Sequence, residues 1–157
     1  MWTQSESIMS IDSFTLTALT RLAASIILGG MIGVERSVHK HPAGARTFML
    51  ICTGSTLATL ASIYICQTNT DLLNGDPGRI AAQVLTGIGF IGAGLILKNG
   101  DGVSGLTTAT CIFVTAAIGI AVGVGMLIPA AVITITSVVI LASGYVLGKK
   151  KGPGNNK

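Results

Sequence analysis

Charge is scarce in this sequence. Asp, Glu, Lys and Arg make up 10% of its 157 residues, and none occurs in the 47 residues from Gly102 to Gly148. A soluble domain of this size carries about 25% charged residues, which excludes that class. Aromatic residues stand at 4%, too few to build a base-stacking surface. The net charge of +4 therefore does not indicate nucleic acid, and four of the ten basic residues (Lys149, Lys150, Lys151 and Lys157) crowd the last nine positions. Such a tail suits anionic lipid. The three cysteines, Cys52, Cys66 and Cys111, lie in or at the ends of apolar runs without a CxxC pair, so they read as small hydrophobes and not as a disulfide framework. The six acids are scattered, which leaves no hard-cation cage. The only histidines, His39 and His41, share one loop. That leaves Gly102-Val-Ser-Gly105 without a base for serine chemistry, and a solvated loop suits His39 and His41 better than a metal site with Glu35. Gly87-Ile-Gly-Phe-Ile-Gly92 fits GxGxxG only literally, because no strand precedes it and no acid follows at the required distance. No catalytic residue, cofactor or metal site is expected.

Long apolar runs take the place of charge. Half the residues are hydrophobic and mean hydropathy is +0.74. The runs place five spans at about 14–34, 46–66, 79–97, 103–122 and 127–147, each long enough for a hydrocarbon core of ~30 Å. Only Gly123-Val-Gly-Met separates the last two, and Pro129 falls in the first turn of the fifth, where its missing N–H does no harm. The first 13 residues carry Glu6 and Asp12 and no Lys or Arg. They lack a basic leader region, so the first run is expected to stay as a helix. Arg36, Lys40 and Arg46 follow span one, Lys98 follows span three and lysines fill the tail, whereas Asp71 and Asp76 follow span two. This bias places the N-terminus outside and the C-terminus in the cytoplasm, which requires an odd number of spans. Tyr64 and Tyr145 fall at span ends. The expected organisation is an extracytoplasmic segment (1–13), an all-α membrane domain of five helices (14–148) and a disordered basic cytoplasmic tail (149–157).

The polar residues inside the spans are the candidates for function. Arg21 lies about seven residues into span one, roughly 10 Å below the boundary. A charge near the bilayer centre costs ~2.5–3.5 kcal/mol on insertion scales and so marks a functional site by default. The competing reading is an arginine that snorkels to headgroups or pairs with Asp12 or Asp76. Steps of three and four put Arg21, Ser25, Leu28, Ile32 and Glu35 on one face, and Asp76, Arg79, Gln83, Gly87 and Phe90 on another. A buried Gln83 needs partners, and Thr53, Thr56 and Thr59 or Thr107, Thr108 and Thr115 offer hydroxyls. The alternative is a polar cleft opening outward at Asp76, Arg79 and Gln83. Small residues recur at close-packing spacing: Gly29 with Gly33, Gly119 with Gly123, and Gly87, Gly89, Gly92, Ala93 and Gly94 on span three. They serve internal helix packing or a homodimer.

Four segments carry a family likeness: Leu28-Gly-Gly-Met-Ile-Gly-Val-Glu-Arg36, Pro42-Ala-Gly-Ala-Arg-Thr47, the stretch Asp76-Pro-Gly-Arg-Ile-Ala-Ala-Gln-Val-Leu-Thr-Gly-Ile-Gly-Phe-Ile-Gly-Ala-Gly94, and Val103-Ser-Gly-Leu-Thr-Thr-Ala109. Over residues 14–148 the chain resembles the MgtC/SapB family of bacterial inner-membrane proteins. The resemblance implies five spans in the plasma membrane and a part in adaptation to low magnesium and to the interior of host phagocytes. It further implies regulation of other membrane complexes, among them the rotary ATP synthase, in place of transport. Gly33, Glu35, Arg36, Arg46, Asp76, Arg79, Gln83 and Gly105 through Thr108 are the motif positions. Ala45, Phe48 and Phe113 depart from the usual leucine, polar residue and tryptophan, and the cytosolic C-terminal domain of many members has no counterpart here. The expectation is thus a non-enzymatic regulator that docks with another membrane protein or with its own copy in the lipid bilayer. The alternative is a small, magnesium-linked ion transporter or channel that uses the polar stripes of spans one and three. The candidate polar cluster comprises Arg21, Glu35, Arg36, Arg46, Asp76, Arg79, Gln83, Thr107 and Thr108.

Overall fold

The computed structural model describes residues 4–68, 76, 78–99 and 102–148. Five helices are present among them: α1 (Gln4–Val38), α2 (Ala45–Thr68), α3 (Gly78–Leu95), α4 (Leu106–Val124) and α5 (Leu127–Gly148). Each contains a stretch long and apolar enough to cross a membrane, namely Ser13–Val38, Ala45–Gln67, Gly78–Leu95, Leu106–Val124 and Leu127–Gly144. A helix satisfies its own backbone hydrogen bonds, which is why apolar spans of this length take this form in lipid. Asp71 and the basic tail lie outside the described residues, as do the side chains of Asp12, Lys98 and Tyr145.

Two features differ from the sequence reading. Helix α1 starts at Gln4, ten residues ahead of the expected span, because no proline or glycine interrupts the run before it. Between α3 and α4, where spans three and four were expected to end and begin, strands β1 (Leu97–Asn99) and β2 (Gly102–Ser104) form an antiparallel hairpin pairing Leu97 with Ser104. Val103 is therefore an exposed strand residue, not the start of a span. Gly105 closes the hairpin at φ +84°, and a Cβ there would overlap the Leu95 carbonyl oxygen. Only glycine tolerates both conditions.

Helix α4 is the centre of the bundle: 56% of its span is buried, against 11% for α3 and for α5. Lipid tails are as apolar as leucine, so close van der Waals packing must hold the helices together. The contacts show how. A Cβ on Gly29 would meet the Phe48 carbonyl and Cys52 of α2 at 2.7 Å, and Gly33 lies equally close to Ala45. Gly119 and Gly123 of α4 sit against Cys52, Ser55 and Thr59 on another face of α2. Helix α2 is thus clamped between two pairs of glycines spaced four apart. Around these crossings Ile32, Phe48, Cys52, Ile112, Ala116 and Val122 are buried. Helix α5 turns Ile128, Val132, Ile133, Ile135, Val139 and Ile140 outward, a face suited to lipid.

The buried hydroxyls are absorbed by the backbone. The Thr59, Thr115 and Thr134 hydroxyls each donate to a carbonyl four residues earlier at 2.8 Å. Thr56 reaches across the α2–α4 crossing to the Gly119 carbonyl oxygen at 2.8 Å, with the Cys52 carbonyl at 3.0 Å sharing its proton. No buried side-chain nitrogen or oxygen lacks a partner among the described residues.

Candidate functional site

Short connections make successive helices antiparallel, so the polar candidates divide between two ends of the bundle. The start of the α1 span, the end of α2, the start of α3 and the α4–α5 turn share one end. The end of α1, the start of α2, the hairpin and the start of α4 share the other. Residues at opposite ends cannot meet, and the nine candidates do not form one cluster.

At the first end, Arg21 is half-buried and its Nη1 donates to the Gly123 carbonyl oxygen at 2.7 Å. The reason lies in how α4 stops. Gly125 adopts φ +95°, its N–H reaches the Val122 carbonyl at 3.0 Å, and the Met126 N–H reaches Ala121 at 2.8 Å. This is a Schellman ending, which leaves the Gly123 carbonyl among the orphans that a helix C-terminus must place elsewhere. The Arg21 guanidinium takes it and sits at the negative end of the helix dipole. The pairing of Arg21 with Asp76 is not formed, for Arg21 makes no ion pair among the described residues; the side chain of Asp12, its other expected partner, lies outside them. Ser13, Phe14, Thr17, Arg21, Ile63, Gln67 and Val124 line an open pocket of about 490 Å3.

On the other side of α2, Asp76, Arg79 and Gln83 line a cleft of about 420 Å3 with Ser62, Ile65, Cys66, Ile80 and Ala82. Asp76 Oδ1 accepts the Gly78 N–H at 2.7 Å, a cap on the first turn of α3. Arg79 and Gln83 are both exposed. The expected partnering of a buried Gln83 by threonines on α2 and α4 does not occur, because Gln83 is exposed at this open cleft. Among the described residues, hydroxyls bridge helices at Thr56, to the Gly119 carbonyl, and at Ser25 of α1, which donates to the Thr53 hydroxyl of α2 at 3.4 Å.

At the second end, Arg36 is 3% exposed and pairs with Glu35, Nη2 to Oε1 at 2.8 Å and Nε to Oε2. The His39 Nδ1 lies 3.1 Å from Glu35 Oε1 and 2.9 Å from the Glu35 carbonyl. The i, i+4 spacing of Glu35 and His39 carried this contact in the sequence, and assigning His39 to a solvated loop missed it. The connection to α2 is held by Ser37, whose Oγ accepts the Ala45 N–H at 2.9 Å. Burial, followed by the positive charge of Arg36, holds the His41 imidazole below its ordinary pKa, against the opposing pull of Glu35. Arg46 is exposed on the first turn of α2, Thr107 is exposed and Thr108 is buried. Thr107 lines an apolar cavity of about 200 Å3 with Ile32, Cys111 and Ser137. Among the described residues no group of three or more His, Cys, Asp or Glu is placed to hold a metal ion.

The glycines of α3 behave unlike the others. Gly92 packs on Ala109 of α4 at 3.6 Å, whereas Gly87, Gly89 and Gly94 have no neighbour within 4 Å. They do not pack inside the bundle as expected. The face opposite Gly92 carries Gln83, Gly87, Phe90 and Gly94, with Phe90 83% exposed.

The MgtC family model matches residues 22–149. A protein of Haemophilus influenzae with an uncharacterized role is 38% identical over 81% of this chain and 59% of its own length. YhiD of Escherichia coli K12, named as a candidate magnesium transporter, is 47% identical over 71% of this chain and 53% of its own. The protein MgtC of Brucella abortus is 41% identical over 73% of this chain and 45% of its own. The chain therefore spans about half the length of the curated relatives it matches. No solved structure matches it.

Proposed function

The chain belongs to the MgtC family, and on that premise we propose that it is a non-enzymatic bacterial inner-membrane protein that regulates other membrane complexes by lateral docking, in adaptation to low magnesium or host-cell stress. The observation that carries this reading is the outward face of α3. A lipid-facing helix carries large apolar side chains, as α5 does. The α3 face instead offers an amide at Gln83, backbone exposed at Gly87 and Gly94, and one projecting ring at Phe90. Small residues with a polar neighbour are the composition of helix–helix interfaces in membranes. The division of the polar residues between two ends also supports docking over conduction. Between those ends lie the packed glycine crossings and the buried Ile32, Phe48, Ile112 and Val122, and the core hydroxyls are already bonded to the backbone.

The test is affinity capture of the tagged chain in mild detergent from a strain lacking its own copy, with the rotary ATP synthase as the first partner to probe. A stoichiometric membrane partner, lost on Gly87→Leu, is the expected result. A chain that rescues growth at low magnesium while retaining no partner would sink the proposal.

The cleft of Asp76, Arg79 and Gln83 favours a second reading, transport of an ion, in line with the name given to YhiD. Flux into liposomes holding the purified chain tests it. No flux, or flux that survives Asp76→Asn, removes this reading.

A further inference from the structure

Arg21 has a second capacity beyond capping α4. A guanidinium carries five N–H donors, and the Gly123 carbonyl engages Nη1. Helical side chains lean toward the N-terminus of their own helix and lie over the preceding turns. That direction takes Arg21 past Thr17 and toward Ser13, both of which line the pocket of about 490 Å3 beside it. Asp12 is the last charged residue before Arg21, and the apolar run of α1 begins at about residue 14, seven residues ahead of Arg21. The pocket thus lies between the start of that run and a cation roughly 10 Å farther along the helix, at 1.5 Å per residue.

Among the described residues nothing acidic answers the charge on Arg21: it makes no ion pair with them, and none of those that line its pocket is acidic. Gln67 adds an amide at the rim, and the Thr17 hydroxyl is turned away into the Ser13 carbonyl at 2.9 Å. A half-buried cation within an apolar run is still best placed where an anion or a set of acceptors answers it, and one carbonyl oxygen is a small part of that demand. Guanidinium's flat fork matches phosphate oxygens two at a time. Where the apolar run of α1 begins, the membrane surface supplies phosphate at high density.

We propose that the Arg21 pocket binds a phosphate group, drawn below the surface from a phospholipid headgroup whose glycerol carbons fill the rest of the pocket. The apolar wall of Phe14, Ile63 and Val124 faces the start of the acyl chains. Arg21 then ties three things together: the end of α4, the first half of α1 and the lipid. Soluble phosphate would meet the same donors, so the source must be decided by experiment.

Native mass spectrometry of the full chain, extracted from bacterial membranes in mild detergent, gives the first answer. The wild type is expected to hold one phospholipid through stepwise activation. Arg21→Gln should lower that retention about tenfold, the scale of losing a charge-assisted hydrogen bond, and Arg21→Lys should fall between. Equal retention in all three overturns the proposal. Should Arg21→Gln fail to fold for want of its helix cap, thermal unfolding of delipidated wild type decides. Short-chain phosphatidylglycerol, diacylglycerol of the same chains and inorganic phosphate are added separately. Protection by phosphatidylglycerol alone supports a lipid phosphate, and equal protection by inorganic phosphate supports a soluble one in the same site. Equal effects of phosphatidylglycerol and diacylglycerol, or no effect from any of the three, overturn it.

Discussion

Gly119→Ala and Gly87→Ala are the same chemical change at two helix-interior glycines, and the structure demands opposite outcomes. At Gly119 the added methyl would overlap the Cys52 carbonyl oxygen and stand 2.8 Å from Ser55 Cβ. The obstruction is α2 backbone, which cannot swing aside as a side-chain tip does, so α2 and α4 must separate. Overpacking of this kind costs typically ~1–3 kcal/mol. The separation also stretches the 2.8 Å bond from Thr56 to Gly119, worth ~0.6 kcal/mol in a membrane. Alanine returns ~1 kcal/mol in helix propensity, so the net loss is about 1–3 kcal/mol. At Gly87 no heavy atom lies within 4 Å; the propensity gain stands alone and the variant should be up to ~1 kcal/mol more stable. The two variants should differ by about 2–4 kcal/mol in unfolding from mixed micelles followed by helical circular dichroism. A Gly119→Ala protein as stable as the wild type would refute the backbone-on-backbone crossing, and a Gly87→Ala protein equally destabilised would refute the outward placement of α3's glycines.

Two further outcomes follow from the second end of the bundle. Arg36→Met leaves the buried Glu35 carboxylate with only His39 beside it and should cost up to ~3–5 kcal/mol, whereas Glu35→Leu combined with Arg36→Met should recover most of that; unfolding of the single and double variants compares them, and a double variant as damaged as the single would count against a buried pair. His41 titrates lower in the fold than its ordinary value of 6.5. Below that pH the unfolded chain binds more protons, so stability is full above about pH 6.5 and declines as the pH falls through the folded value. His41→Gln should flatten this acid limb in thermal scans at pH 5 and pH 7.5, and an unchanged limb would exclude His41 as its source.

The five helices were legible because scarcity of charge and run length are local properties, and a bilayer translates them directly into spans. The hairpin at 97–104 was not legible. Its two strands of three residues are shorter than any periodicity test can resolve, and its closure onto α4 depends on Gly105 meeting Leu95. Candidate residues were found by type, since an Arg, Glu or Gln inside an apolar run stands out anywhere. Their grouping could not be found this way. A face drawn along one helix puts Arg21 and Glu35 in line at opposite ends of span one, and only the antiparallel packing decides which residues of the other helices stand beside each. His39 was passed over because its i, i+4 spacing from Glu35 permits the contact only if the helical turn continues past Val38, which a loop placement denies.

The sequence alone determined that this protein spans a membrane five times and which side chains would be out of place in lipid. Hydropathy and length act within each segment, whatever its neighbours do. The tertiary structure decided which small faces are spent inside. Gly29, Gly33, Gly119 and Gly123 pack on α2 and Gly92 packs on α4, while Gly87, Gly89 and Gly94 face outward. Glycines spaced for close approach look alike in sequence, and only the presence of a second helix against them makes them core.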